Sequence, residues 1–141
     1  MNETIKEHSW IPLIVVAFAS FIIALDSTFM NVSITQLVDD LHTNVNTIQM
    51  IMTFYTLFTA AFMLLSAKLQ DIVGKKKLFL IGAVLYGIGT SIAAISSSDT
   101  MLFIGWAVIE GIAGALMLPA TVSIVSGTYS GEKRTISLAI V

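Results

Sequence analysis

Four long apolar stretches separated by short polar ones account for almost the whole chain, over residues 11–38, 48–67, 78–96 and 101–129. A fresh apolar run then begins at 136–141. Crossing the hydrocarbon core of a bilayer takes about 20 residues of helix at roughly 1.5 Å each. The second and third stretches meet that length without a single charge. The pattern predicts an all-α, polytopic membrane helix bundle of four spans and the start of a fifth. Residues 1–10 precede the first span, 39–47 and 97–100 connect spans on one side, and 68–77 and 130–135 connect them on the other. Connections this short make neighbouring helices antiparallel.

Charge gives the bundle a direction. Threaded back and forth, the chain places Lys6, then Lys68, Lys75, Lys76 and Lys77, then Lys133 and Arg134 in one compartment. The other side receives only Asp39, Asp40, His42 and Asp99 among groups that can ionise. Cytoplasmic loops carry the Lys/Arg excess, so a cytoplasmic N-terminus is expected in a multi-pass protein of the cell membrane. Trp10 and Tyr129 lie at inner ends of spans and Trp106 near an outer one, where amphipathic rings favour the headgroup zone.

Composition narrows the classes further. Charged residues make up 11%, against roughly 25% in an average soluble domain. A soluble chain of this size could not cover four long apolar runs with its surface. The absence of Cys removes disulfides, thiol catalysis and thiolate metal sites. The glycines from Gly82 to Gly89 lack the Lys-Ser/Thr of a phosphate loop and fall mid-span. Neither an enzyme nor a cofactor, metal or nucleic-acid partner is expected. The small triplet Ala17, Phe18, Ala19 lies inside the first run, so that run is read as an uncleaved helix and not a signal peptide.

Polar residues inside the spans are the candidates for chemistry. Asp26 sits mid-way along the first, near an arc of Ser20, Ser27, Asn31 and Thr35. Glu110 lies in the fourth, with Gly111 and Gly114 beside it and Pro119 beyond, which removes one backbone donor and loosens the helix. A carboxylate at the bilayer centre costs about 2.5–3.5 kcal/mol on insertion scales, so each acid should face protein or a wet cavity. Counted from the outer ends of their helices, both lie roughly 14–18 Å deep. Two acids at one depth form either a cation or proton station or a pair of separate interhelical contacts; spacing alone leaves both open. Tyr55, Thr59 and Ser66 give the second span a sparse polar stripe suited to interhelical hydrogen bonds. In the third span Ala83, Gly87 and Ser91 repeat every four residues, a small-residue face expected to carry close helix packing.

Three motifs resemble one family. Leu25-Asp26-Ser27-Thr28-Phe29-Met30-Asn31-Val32 is similar to the first-helix motif L-D-x-T-x-x-N-V of drug:proton antiporters in the major facilitator superfamily. Ala67-Lys68-Leu69-Gln70-Asp71-Ile72-Val73-Gly74-Lys75-Lys76 resembles that superfamily's inner-loop motif G-x-L-x-D-R-x-G-R-K. Glu110-Gly111-Ile112-Ala113-Gly114, followed by Met117-Leu118-Pro119-Ala120-Thr121, resembles the fourth-helix motif R-x-x-Q-G-x-G-A-A with its trailing M-P-A-T. The order and placement match the fourteen-helix branch. The departures are Ala67 for Gly, Ile72 for Arg, Lys75 for Arg, Ala107 for the fourth-helix Arg and Glu110 for its Gln.

The resemblance implies proton-coupled efflux of small amphipathic compounds or drugs, with the small-molecule substrate, protons and the lipid bilayer as partners. It implies Asp26, Asn31 and Glu110 on the proton and substrate cavity, and Asp71, Gly74, Lys75 and Lys76 in a loop that latches the two halves of the transporter. Physically, Gly74 permits a tight turn and Asp71 suits the positive end of a helix. Such transporters have twelve or fourteen helices, so the chain is expected to be an N-terminal fragment whose further partner is its own C-terminal half. The rival readings are a small four-helix multidrug pump and a four-helix membrane scaffold that does not transport.

Overall fold

The computed structural model describes residues 9–141; Lys6 and the rest of residues 1–8 lie outside the described residues. The elements are α1 (Ile11–Val32), α2 (Ile34–Asp40), α3 (Val45–Val73), α4 (Lys75–Ala94), α5 (Asp99–Leu102), a π-helical segment (Phe103–Glu110), α6 (Gly111–Thr128) and α7 (Gly131–Ile140). Four helices are long and apolar enough to cross a membrane: α1, α3, α4 and the continuous unit Asp99–Thr128. The chain is an all-α bundle of membrane helices.

Polar residues end the membrane stretches without always ending the helices. At the end of the bundle that the charge pattern assigns to the outside, the outer end, Asn44 caps α3, its Oδ1 accepting from the Thr47 amide at 2.9 Å. Ser98 does the same for Met101 at 3.2 Å, with Asp99 in the favourable first turn. At the inner side the expected loop over 68–77 is almost entirely helical. Only Gly74 separates α3 from α4, at φ 95° and ψ 141°, a conformation glycine adopts without steric cost. Its neighbours Lys68, Leu69 and Gln70 are good helix formers, so the helix runs on past the apolar stretch.

The fourth span is the axis of the bundle. α4 packs along one side of it and α3 along another, while α1 meets chiefly α6. Two apolar clusters stack along its length. Toward the outer end Ile48, Ile51 and Tyr55 of α3 close on Leu102, Trp106 and Ala107. Toward the inner end Leu13, Val16 and Ile23 of α1 meet Phe79, Tyr86, Met117 and Ile124.

Glycine lets α4 approach, but on a different face from the one expected. A Cβ on Gly89 would stand 2.8 Å from the Gly105 carbonyl oxygen and 3.0 Å from the Glu110 nitrogen, and one on Gly82 would meet Ala113 O at 3.1 Å. A Cβ on Gly87 would meet nothing within 4 Å, and Ser91 is exposed, its hydroxyl donating to Gly87 O within its own helix. The Ala83–Gly87–Ser91 face is therefore not the tight interface. Small residues permit close packing on any helix face; which face is used depends on where the partner's small residues fall.

Candidate functional site

The two clusters meet at Glu110. Its side chain is fully buried, and neither carboxyl oxygen meets a partner in hydrogen-bond geometry, although the Tyr86 and Thr90 hydroxyls stand close by. Asp26, Tyr86 and Thr90 are the polar side chains within electrostatic reach, and the Tyr86 hydroxyl is itself buried without a partner. Structural polar groups in protein interiors are nearly always satisfied, so an orphaned intramembrane carboxyl calls for a functional explanation. Asp26 and Glu110, which sequence spacing placed at one depth, lie within electrostatic reach of each other.

Asp26 is held differently. It is half-buried, and its Oδ2 accepts from the Trp106 indole Nε1–H at 2.7 Å. The Trp106 ring lies flat on Tyr55, with centroids 4.3 Å apart and planes at 14°. Trp106 is only 2% exposed. The expectation that it floats in the outer headgroup zone is overturned, because the indole N–H finds its partner in the protein interior. The missing signal was one of spacing: Trp106 stands four residues before Glu110, which on a helix puts both on one face.

Backbone geometry supports this arrangement. Between Phe103 and Glu110 the helix is wound as a π-helix, and the Gly111 amide reaches back five residues to the Trp106 carbonyl. Such segments are rare and concentrate at functional sites. Gly89 of α4 fits against the widened turn, between Gly105 O and Glu110 N. On the other side a Cβ on Gly111 would stand 3.2 Å from the Tyr55 carbonyl oxygen, and Gly111 O accepts from Thr59 Oγ1 at 3.1 Å. Thr59 thus spends its hydroxyl on the fourth span and Tyr55 lays its ring on Trp106 of that span, whereas Ser66 is buried with an unpartnered hydroxyl. Gly114 is less constrained, since its nearest neighbour, Tyr55 OH at 3.7 Å, leaves room for a methyl. Pro119 lies inside α6, one turn inward of Ala115.

Asn31 is not drawn into the site. It is exposed, and its Nδ2 donates to Ser27 O of its own helix at 2.7 Å. Between α1 and α4 an apolar cleft of about 440 Å³ is lined by Phe18, Ile22, Ala83, Gly87 and Thr90, with Tyr86 linking it to Glu110.

The basic inner turn forms a second polar group. Asp71 is exposed in the last turn of α3, the negative end of its own helix, and the positive end of α4 opens four residues further on at Lys75. Lys75, Lys76 and Lys77 open α4 at its positive end, which is also electrostatically adverse. Lys75 escapes by reaching over Gly127 to donate to Ser123 O at 3.1 Å, near the C-terminus of α6. A Cβ on Gly127 would collide with the Lys75 ammonium. Lys76 is exposed. Nearby, Tyr129 OH donates to Ser9 O at 2.7 Å, and its ring lies 6.3 Å from that of Trp10.

Comparison with known proteins gives this geometry a setting. The multidrug efflux pump LfrA of Mycolicibacterium smegmatis is 27% identical over 134 residues, covering 94% of this chain and 26% of the pump. The riboflavin transporter RibZ of Clostridioides difficile is 25% identical, covering 95% and 29%. The methyl viologen resistance protein SmvA of Salmonella typhimurium is 29% identical, covering 94% and 27%. The chain spans about a quarter of the length of these curated relatives. No solved structure matches it. The family model described as Major Facilitator Superfamily matches residues 16–141, nearly the whole length, and the chain belongs to that superfamily.

Proposed function

We propose that this chain forms the N-terminal part of a proton-coupled efflux transporter that expels small amphipathic compounds across the cell membrane. The observation that carries the reading is Glu110, fully buried, unpartnered and within reach of Asp26. A carboxyl with no fixed partner is free to exchange a proton as its surroundings open to one side or the other. Asp26, half-buried and held by a neutral donor, suits a standing negative charge for a substrate cation. Relatives named for multidrug efflux and methyl viologen resistance support the substrate class. The family match displaces the four-helix pump and the scaffold as alternatives. Activity requires the C-terminal half of the same transporter, as it does throughout a fold built of two six-helix halves. Asp71, Gly74, Lys75 and Lys76 form the inner latch, anchored on α6 through Lys75.

The test uses the full-length transporter in proteoliposomes. Glu110→Gln should abolish gradient-driven uphill transport while substrate still binds, and Asp26→Asn should weaken binding. Wild-type uphill transport by Glu110→Gln would refute the coupling role. Orientation is checked by single cysteines in intact cells: an impermeant thiol reagent should label Asn44→Cys and Ser97→Cys but not Lys76→Cys.

A further inference from the structure

We propose that Trp106 is a positioning residue that fixes the Asp26 carboxylate as a stationary anion for cationic substrates and leaves Glu110 as the group that moves protons. The proposal rests on the function above and assigns its division of labour to one side chain.

Three observations converge on the indole. First, the Nε1–H to Oδ2 bond at 2.7 Å joins residues 80 positions apart, on the two spans that carry the acids. Second, the ring cannot swing away, because it is stacked on Tyr55 and enclosed by the outer apolar cluster. Third, neither carboxyl oxygen of Glu110 meets a donor in hydrogen-bond geometry, although Tyr86 and Thr90 stand nearby.

The chemistry of the donor matters as much as its place. A Lys or Arg partner would orient Asp26 but cancel its charge. An indole N–H is a donor only and carries no charge, so it holds the carboxylate and leaves the anion available to a ligand. Within this chain every Lys and Arg lies at residue 6, 68, 75–77, 133 or 134, away from the middle of the spans. Beside Trp106 stands Ala107, buried and without any polar side chain. At 2.7 Å the contact is short for an N–H donor, and it fixes the direction in which the Asp26 carboxyl faces. Glu110 has no comparable fixed contact, its nearest hydroxyls, Tyr86 and Thr90, standing outside hydrogen-bond geometry.

The test is a double-mutant cycle on the full-length transporter in nanodiscs, with tetraphenylphosphonium binding as readout. Trp106→Phe keeps the ring and its stack on Tyr55 but deletes the donor. It should weaken binding about tenfold, equivalent to roughly 1.4 kcal/mol. In an Asp26→Asn background the same substitution should have no further effect, because Trp106 acts only through Asp26. Equal weakening in both backgrounds would reduce Trp106 to packing and overturn the proposal. Failure of the wild type to bind tetraphenylphosphonium would overturn the assigned substrate charge.

A second measurement is independent of transport and binding. In spectra of ¹⁵N-indole-labelled protein, the resonance missing from Trp106→Phe identifies Trp106. Asp26→Ala should move that resonance to the position of an indole without a carboxylate partner. An unmoved resonance would overturn the bond itself. A moved resonance with unimpaired transport by Asp26→Ala would instead count against the functional reading on which the division of labour depends.

Discussion

The first and fourth spans carry one acid each, yet their surroundings could hardly differ more. Of the most apolar stretch of each, 11% is buried in the first span and 56% in the fourth. α1 turns Ile14, Phe18, Phe21 and Phe29 outward, all more than half exposed. The fourth span is enclosed by α3, α4 and α1, and glycines replace side chains where backbones touch. Hydropathy does not separate the two, since both average at least 2.0. What separates them is the distribution of small residues. A bilayer accepts a uniformly bulky apolar helix at its surface, but only a helix with gaps in its side-chain cover can be approached closely from several sides.

The comparison can be tested by stability, measured as unfolding in detergent or by steric trapping. Trp106→Ala should cost about 3–5 kcal/mol, the range for a fully packed aromatic. Phe18→Ala, on the exposed face of α1, should stay within about 0.5 kcal/mol. Similar losses at both positions would erase the distinction between core and peripheral span. Next in size, Gly89→Ala should destabilise by about 1–3 kcal/mol, because its methyl would press on Gly105 O and Glu110 N. Gly87→Ala, two residues away and facing open space, should be neutral or stabilise by up to about 1 kcal/mol. The smallest effect belongs to the inner edge. Lys75→Met removes one hydrogen bond to Ser123 O, worth about 1 kcal/mol. Gly127→Ala should have a similar effect by displacing the ammonium, and combining the two should add little.

Much of this was legible from the chain itself. The four spans and the two acids follow from hydropathy and from the cost of intramembrane charge. That Asp26 and Glu110 lie within electrostatic reach of each other agrees with their equal depths, which residue counting provides. The packing face of α4 was not legible: Ala83, Gly87 and Ser91 fit the small-residue pattern as well as Gly82 and Gly89 do, and only the partner's Gly105 decides between them. Trp106 was misplaced because distance from a helix end suggests the headgroup zone. A hydrogen bond to an acid 80 residues away leaves no mark on local composition. The inner turn escaped for the reverse reason, since a run of polar residues looks like a loop even where the helix continues to Val73.

The π-helical segment carries a consequence for how this span tolerates insertions and deletions. A wide turn holds one residue more than an α-helical turn would, so it stores a register that a single deletion can release. Removing Val108 would let 103–110 relax to ordinary winding, and the lost residue would be absorbed by the narrower turn. The helix on either side would largely keep its facing, and the hydropathy profile would scarcely change. The same deletion inside the regular winding of α6 would instead turn one part of the span against the other by about 100°.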